Sequence, residues 1–201
     1  MKGFSDEERQ RIRAELIDSG QALFTQYGLE RTRIKDITAE VDIGTSTFYR
    51  FFDSKEDLYV EVLLRETDRL NAELEAKVET TDDPREQVRR TLHLIFEEVE
   101  SNPIIHNLII GGELRTLHKE LSPAKCETLS YQFDDRVFSP AQEWTDLDSF
   151  RYDDEEVVNY IIRMLVFTSR AQNIVSHRDA MSYEEIRGEM IDVVVSGFFE
   201  E

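Results

Sequence analysis

Thr45, Ser46, Tyr49 and Arg50 are separated by one, three and four residues, so a helix drawn through them presents hydroxyls, a phenol and a guanidinium on one face. These are the groups that donate hydrogen bonds to phosphate oxygens and to base edges in a DNA major groove. Thr47 lies at the edge of that face. Phe48, Phe51 and Phe52 form an apolar stripe on the other side, which has to be buried, and Ile43 is placed to pack beneath it. The chain holds 43 Asp plus Glu, so an ordinary solvated face should carry carboxylates, yet this helix has none before Asp53. That absence points to a polyanionic partner.

The neighbouring elements are those a helix-turn-helix requires. A short helix from Arg33 to Val41, with Thr32 as its N-cap, aligns Ile34, Ile37 and Val41 on one stripe. The break Asp42-Ile43-Gly44 separates it from the helix expected over Thr45 to Phe52, and two short helices across so tight a turn match the motif. Ahead of them, Ser5 with Glu8 forms a capping box for a first helix carrying Ile12, Leu16, Leu23, Phe24 and Tyr27, and Gly28 is placed to end it in a left-handed conformation. A fourth helix starts at Asp53-Ser54-Lys55-Glu56-Asp57, with Ser54 capping and Asp57 answering. Lys55 stands in its first turn, where a cation opposes the helix dipole by a few tenths of a kcal/mol; a bound phosphate would account for it.

The overall charge argues the other way. Lys plus Arg number 24, giving a formal net charge of −19, whereas nucleic-acid modules are usually basic. The acidity is unevenly distributed: residues 1–60 hold 9 basic and 12 acidic side chains, and the remainder holds 15 and 31. Scarce lysine and abundant carboxylates resemble proteins of organisms with molar cytoplasmic salt, where a Debye length of about 3 Å screens the repulsion. Runs such as Asp153-Asp154-Glu155-Glu156 then read as solvated helix starts. Asp146-x-Asp148 fails as a calcium loop, because Phe150 and Arg151 stand where a further oxygen ligand and a glycine are needed. No metal site and no cofactor are expected. The lone Cys126 excludes an internal disulfide and reads as a packing residue, with a redox role the alternative. No run approaches the roughly 18 apolar residues of a membrane span, and MKGFSDEERQ lacks the apolar core of a signal peptide, so a cytoplasmic location is expected.

The stretch ALFTQYGLERTRIKDITAEVDIGTSTFYRFFDSKEDLYVEVL resembles the DNA-binding module of the TetR family, in its tyrosine-centred recognition helix and in the F-x-S-K-E-x-L entry to the fourth helix. The resemblance covers about residues 16–63. It implies that Arg33 and Lys55 contact phosphates and that Gly44, Thr45, Ser46, Thr47, Tyr49 and Arg50 line the groove. Thr47 and Tyr49 would hold mainly backbone, while Ser46 and Arg50 are best placed for bases; a guanidinium can pair bidentately with guanine. Three departures stand out. Asp42 occupies the usual turn glycine, which it can replace because Asp visits the left-handed region more readily than most residues. Thr45 stands where a basic residue is common, and Thr38 where alanine is typical. With fewer cations, and in high salt, hydrogen bonding and shape fit should carry more of the affinity than counterion release.

Helical periodicity continues to the end of the chain, which makes the fold all-α with about nine helices: a helix-turn-helix domain over 1–53, and over 54–201 a helical regulatory and dimerisation domain that helix four joins to it. Helix four should reach about Thr80, and Val88, Leu92, Ile95, Phe96 and Val99 mark helix five. Ile104 to Leu121 reads as one buried helix, whose Gly111-Gly112 pair signals a kink or a close approach by a neighbour or ligand. A less regular helix should follow Ser122-Pro123 towards Trp144. The last two helices, from about Asp153 to Ser176 and after Ser182, suit an intersubunit four-helix bundle. Val158, Ile162, Leu165, Ile186, Val193, Val194 and Phe198 are its expected contacts in a homodimer. Phe96, Ile105, His106, Ile109, Trp144, Phe167 and Arg170 are the expected lining of a pocket for an unidentified, mainly apolar effector. The functional expectation is a repressor of a palindromic double-stranded operator, released by that effector, with no membrane partner. The rivals are a helix-turn-helix relic serving as a protein interaction module, or a helical-bundle enzyme. The enzyme reading lacks support: there is no HExxH, P-loop or G-x-S-x-G, and no catalytic residue is expected.

Overall fold

The computed structural model describes residues 4–77, 83–128, 140–172 and 181–200. Among them are α1 (Asp6–Arg31), α2 (Ile34–Glu40), α3 (Thr45–Phe48), α4 (Lys55–Lys77), α5 (Pro84–Ser101), α6 (Pro103–Ile109) and α7 (Glu113–Glu120). Helical residues 123–128 follow, then α8 (Pro140–Thr145), α9 (Glu155–Phe167), a 3-10 turn (Thr168–Ala171) and α10 (Tyr183–Phe198). The only β feature among the described residues is one isolated bridge, Phe150 to Phe199. The fold is all-α, as the periodicity predicts.

Side-chain caps start most of the helices. The Oγ of Ser5 accepts from the Glu8 amide at 3.2 Å and that of Ser54 from the Asp57 amide at 3.0 Å. Asp83, followed by Pro84, opens α5, and Asp154 opens α9. Asn102 caps α6 through the amides of Ile104 and Ile105. Ser182 and Glu185 form a reciprocal capping box on α10. Thr32 departs from expectation: the N-cap of α2 is Arg33, and the Thr32 hydroxyl instead donates to the Gly28 carbonyl at 2.7 Å, closing α1. The expected helix from Ile104 to Leu121 is two helices. Gly112, at φ 85°, takes the left-handed conformation between α6 and α7 and reverses the chain there. The expected ends of helix four near Thr80 and of the penultimate helix near Ser176 fall outside the described residues, as does the middle of the helix expected from Pro123 towards Trp144.

Two cores hold the chain. One gathers Phe24, Leu29, Ile37, Phe48, Leu58 and Leu63 from α1–α4 with Ile104 and Leu108 of α6, Leu117 of α7, and Leu121. The second gathers Leu92, Ile95 and Phe96 of α5 with Trp144, Phe150, Val158, Ile162, Ile191 and Phe198. The helix-turn-helix therefore shares its apolar interior with α6 and α7, well beyond residue 53. At the junction one carboxylate joins three elements. Glu66 of α4, nearly fully buried, accepts from Gln21 of α1, from Arg69, and from the amide of Asn102 at 2.6 Å.

Candidate nucleic-acid interface

The recognition segment is positioned by the turn before it. Asp42 has φ 53°, the one positive value outside glycine among the described residues, so the left-handed turn anticipated for an aspartate is present. The amides of Asp42 and Ile43 reach back to the carbonyls of Ala39 and Thr38 at 3.3 and 3.0 Å and close α2. Thr38, standing where alanine is typical, is buried but satisfied, its hydroxyl donating to the Lys35 carbonyl at 3.2 Å. Helix α3 proper is shorter than the expected Thr45 to Phe52. Bonds from Arg50 to Thr47 and from Phe51 to Phe48 carry a tighter 3-10-like coil onward from Phe48.

The two faces of this coil divide as their composition predicts. Phe48 and Phe52 are buried and Phe51 and Ile43 half-buried against the first core. Gly44, Thr45, Ser46, Tyr49 and Arg50 are exposed, with Thr47 intermediate at their edge. The Tyr49 ring stands edge-on to Phe48, centroids 5.5 Å apart, and is 55% exposed, so the phenol projects outward from an apolar footing. Arg33 is exposed at the start of α2.

Lys55 is placed differently from the phosphate contact that the resemblance implies. Its ammonium turns inward and donates to the carbonyls of Leu29 and Thr32 at 2.5 and 3.0 Å, and its side chain is 17% exposed. These carbonyls lie where α1 ends, and the cation that looked misplaced in the first turn of α4 caps the end of another helix. Gly28 has φ 76° and ψ 172°, a combination essentially restricted to glycine, rather than the left-handed helical values expected.

Two arginines outside the expected set, Arg9 and Arg13, brace the recognition coil. Arg9 donates to the Arg50 carbonyl at 3.3 Å and lies over the Phe51 ring at 5.5 Å. Arg13 lies over Phe52 at 5.4 Å and pairs with Glu61 at 2.8 Å. The Arg50 guanidinium stacks 4.6 Å over Phe4, which itself leans on Phe51. A further cation meets the first carboxylates after the coil: Lys125 pairs with Asp53 at 3.0 Å and Asp57 at 2.8 Å, and its hydrogen bonds to Asp57 and Asp53 raise its pKa. Their charge is thus partly neutralised beside the interface. Arg9 was findable only as an arginine at helical spacing on α1, and nothing in the sequence ties it to Arg50.

A profile of the bacterial regulatory proteins of the tetR family matches residues 16–62, the stretch that builds these elements. Over this stretch the chain is similar to the DNA-binding module of that family. Among curated relatives, the HTH-type transcriptional repressor KstR2 of Mycobacterium tuberculosis is 32% identical over 88 residues, 44% of each chain. An uncharacterised HTH-type transcriptional regulator of the same species is 29% identical over 105 residues, 49% of this chain and 52% of its own. The chain spans about half the length of the curated relatives it matches. The likeness of fold runs further. RolR, solved with its ligand resorcinol, superposes with a TM-score of 0.71 over 98% of this chain and 92% of its own at 17% identity. The fatty acid degradation regulator FadR of Bacillus halodurans gives 0.58 over 96% of both chains at 12% identity. The shared fold therefore extends well beyond the matched module, where sequence identity is low.

The residues expected to line an effector pocket gather in and beside the second core. Phe96, Ile105 and Trp144 are packed into the second core, with Ile109 against it and His106 half-buried. Arg170 stacks on Phe167 at 4.8 Å and donates to the Ile109 carbonyl. The surface clefts lined by Gln21, Glu66 and Asn102, and by Tyr27, Asn107 and Glu113, lie at the junction instead. Of the expected dimer contacts, Val158, Ile162, Leu165 and Phe198 are buried within the chain's own second core, Ile186 and Val194 are half-buried, and Val193 is 71% exposed. The exposed apolar side of α9 is instead Val157, Tyr160 and Met164, at helical spacing. Among the described residues no cluster of His, Cys, Asp and Glu could hold a metal, and no helix is long and apolar enough to cross a membrane.

Proposed function

We propose that this protein is a cytoplasmic, homodimeric transcriptional repressor that grips a near-palindromic operator through α2 and α3 and releases it on binding a small, mainly apolar effector in the body. One observation carries the DNA reading: in a chain of net charge −19, the exposed face from Gly44 to Arg50 holds hydroxyls, a phenol and a guanidinium and no carboxylate. Ser46 and Arg50 are the base-reading groups, the Arg50 guanidinium being steadied by its stack on Phe4. Thr45, Thr47, Tyr49, Arg33 and, in addition, Arg9 contact backbone. Lys55 acts indirectly, by fixing the end of α1.

The dimer reading rests on the exposed stripe Val157, Tyr160 and Met164 of α9 together with Val193 of α10, apolar groups that a two-fold four-helix packing would cover. Such symmetry sets two recognition helices roughly 34 to 36 Å apart, about one DNA turn. The effector reading rests on likeness: KstR2 is named a repressor and RolR was solved with resorcinol. Selection of binding sites from random duplexes in concentrated KCl tests the proposal. A near-palindrome with half-sites one turn apart is the expected product; a pool with no enriched sequence would sink the regulator reading and favour the interaction module.

A further inference from the structure

The carboxylate of Glu113, in the body, makes contacts that a solvated first-turn residue of α7 would not need. One oxygen accepts the Leu29 amide at 2.7 Å; the other accepts the Tyr59 hydroxyl. Leu29 and Tyr59 are both essentially fully buried, and Tyr59 stacks edge-on to Phe24, centroids 4.9 Å apart. Burial, with Glu113 beside it, pushes the Tyr59 hydroxyl far above its ordinary pKa, so it stays a donor.

The local backbone is shaped to this carboxylate. The φ 76° and ψ 172° of Gly28 break α1 and free the Leu29 amide from the helix. A Cβ at Gly28 would lie 2.8 Å from the same Glu113 oxygen, so both the conformation and the space require glycine. On the other side of the peptide unit chain, the Leu29 carbonyl takes the Lys55 ammonium. The one residue is therefore held by its amide from α7 and by its carbonyl from α4. It lies four positions before the N-cap of α2, so its location sets where the helix-turn-helix begins.

We infer that Glu113 is a positioning residue for DNA binding: from the body it fixes the α1–α2 corner against α4 and so holds the recognition coil at the angle its operator requires. The inference rests on the DNA-binding reading above. Without the carboxylate the corner is free to sample other orientations, and apparent affinity falls in proportion to the binding-competent fraction.

Fluorescence anisotropy on the selected duplex, with wild type, Glu113→Ala, Glu113→Gln and Tyr59→Phe, tests it alongside amide exchange of Leu29 in the free protein. Glu113→Ala should weaken operator binding about tenfold at temperatures well below its melting point, and Tyr59→Phe about threefold. Glu113→Gln, which keeps an acceptor for the Leu29 amide, should restore most of the affinity. The Leu29 amide should be protected in wild type and exchange at least about tenfold faster in Glu113→Ala, with the amides of α9 unchanged. A purely structural role would lower the melting temperature and leave affinity below it intact. Should Glu113→Ala not fold, Tyr59→Phe carries the test. Glu113→Ala and Tyr59→Phe both within twofold of wild type on a duplex that wild type binds overturn the inference, as does an unprotected Leu29 amide. A wild type that selects no duplex overturns the DNA reading instead, and Leu29 exchange in the free protein still decides whether the contact is made.

Discussion

The junction and head differ from the body in how their buried polar groups are met. Around the first core, Thr32, Thr38, Lys55, Tyr59, Glu66 and Asn102 all have partners within hydrogen-bonding distance. Among the described residues three buried side-chain atoms lack one, Trp144 Nε1, Asn159 Oδ1 and Arg187 Nε, and all three belong to the body. An unmet buried donor or acceptor costs about 1–3 kcal/mol, so each of these three atoms is a place where a further partner would add stability.

The largest expected effects ask whether these halves are separate at all. Because Ile104, Leu108 and Leu117 sit in the first core, Phe24→Ala in the head and Phe96→Ala in the body should each cost about 3–5 kcal/mol and shift one shared calorimetric transition. Two resolved transitions, with Phe24→Ala moving only one, would break the picture of an interlocked junction.

A pair of identical substitutions sharpens the contrast. Asn102→Leu removes the cap of α6 and the donors to Glu66 and Glu98, and should cost about 2–4 kcal/mol. Asn159→Leu removes an oxygen with no partner and should leave the melting temperature unchanged or raise it. Equal losses at both positions would show that Asn159 is as well partnered as Asn102.

The smallest effect is electrostatic. Glu86 is held below the usual carboxylate value by hydrogen bonds from Arg90 and Arg89, and Glu185 by those of the Ser182 capping box. A depressed folded pKa contributes stability above the unfolded value, near 4.5, and loses it as pH falls through the folded value. Glu86→Gln should accordingly flatten the decline of melting temperature below about pH 4.5. An unaltered slope would assign the acid sensitivity to other groups.

The head was largely legible because its signals are local. Ser5 and Ser54 cap where their spacing to the next turn says they should, Asp42 adopts a positive φ, and the Phe48, Phe51 and Phe52 stripe turns inward. Lys55 and Glu113 were not legible. Their partners lie 26 and 84 residues away along the chain, and a cation near a helix start looks the same whether it meets a phosphate or a distant carbonyl. The body defeated face assignment for another reason. Helix α9 is apolar on two sides, so Val158, Ile162 and Leu165 cannot be told from Val157, Tyr160 and Met164 by periodicity alone, and only the packed structure shows which set the chain keeps for itself.

The central claim is that the carboxylate-free face of α3 and its following coil is the DNA grip. Anisotropy titration of the selected duplex with Tyr49→Ala/Arg50→Ala measures it most directly, since both side chains are exposed and their loss should not alter the melting temperature. The account predicts a loss of about 100-fold or more in affinity, with relaxed specificity where Arg50 reads a base. Affinity within twofold of wild type would contradict it.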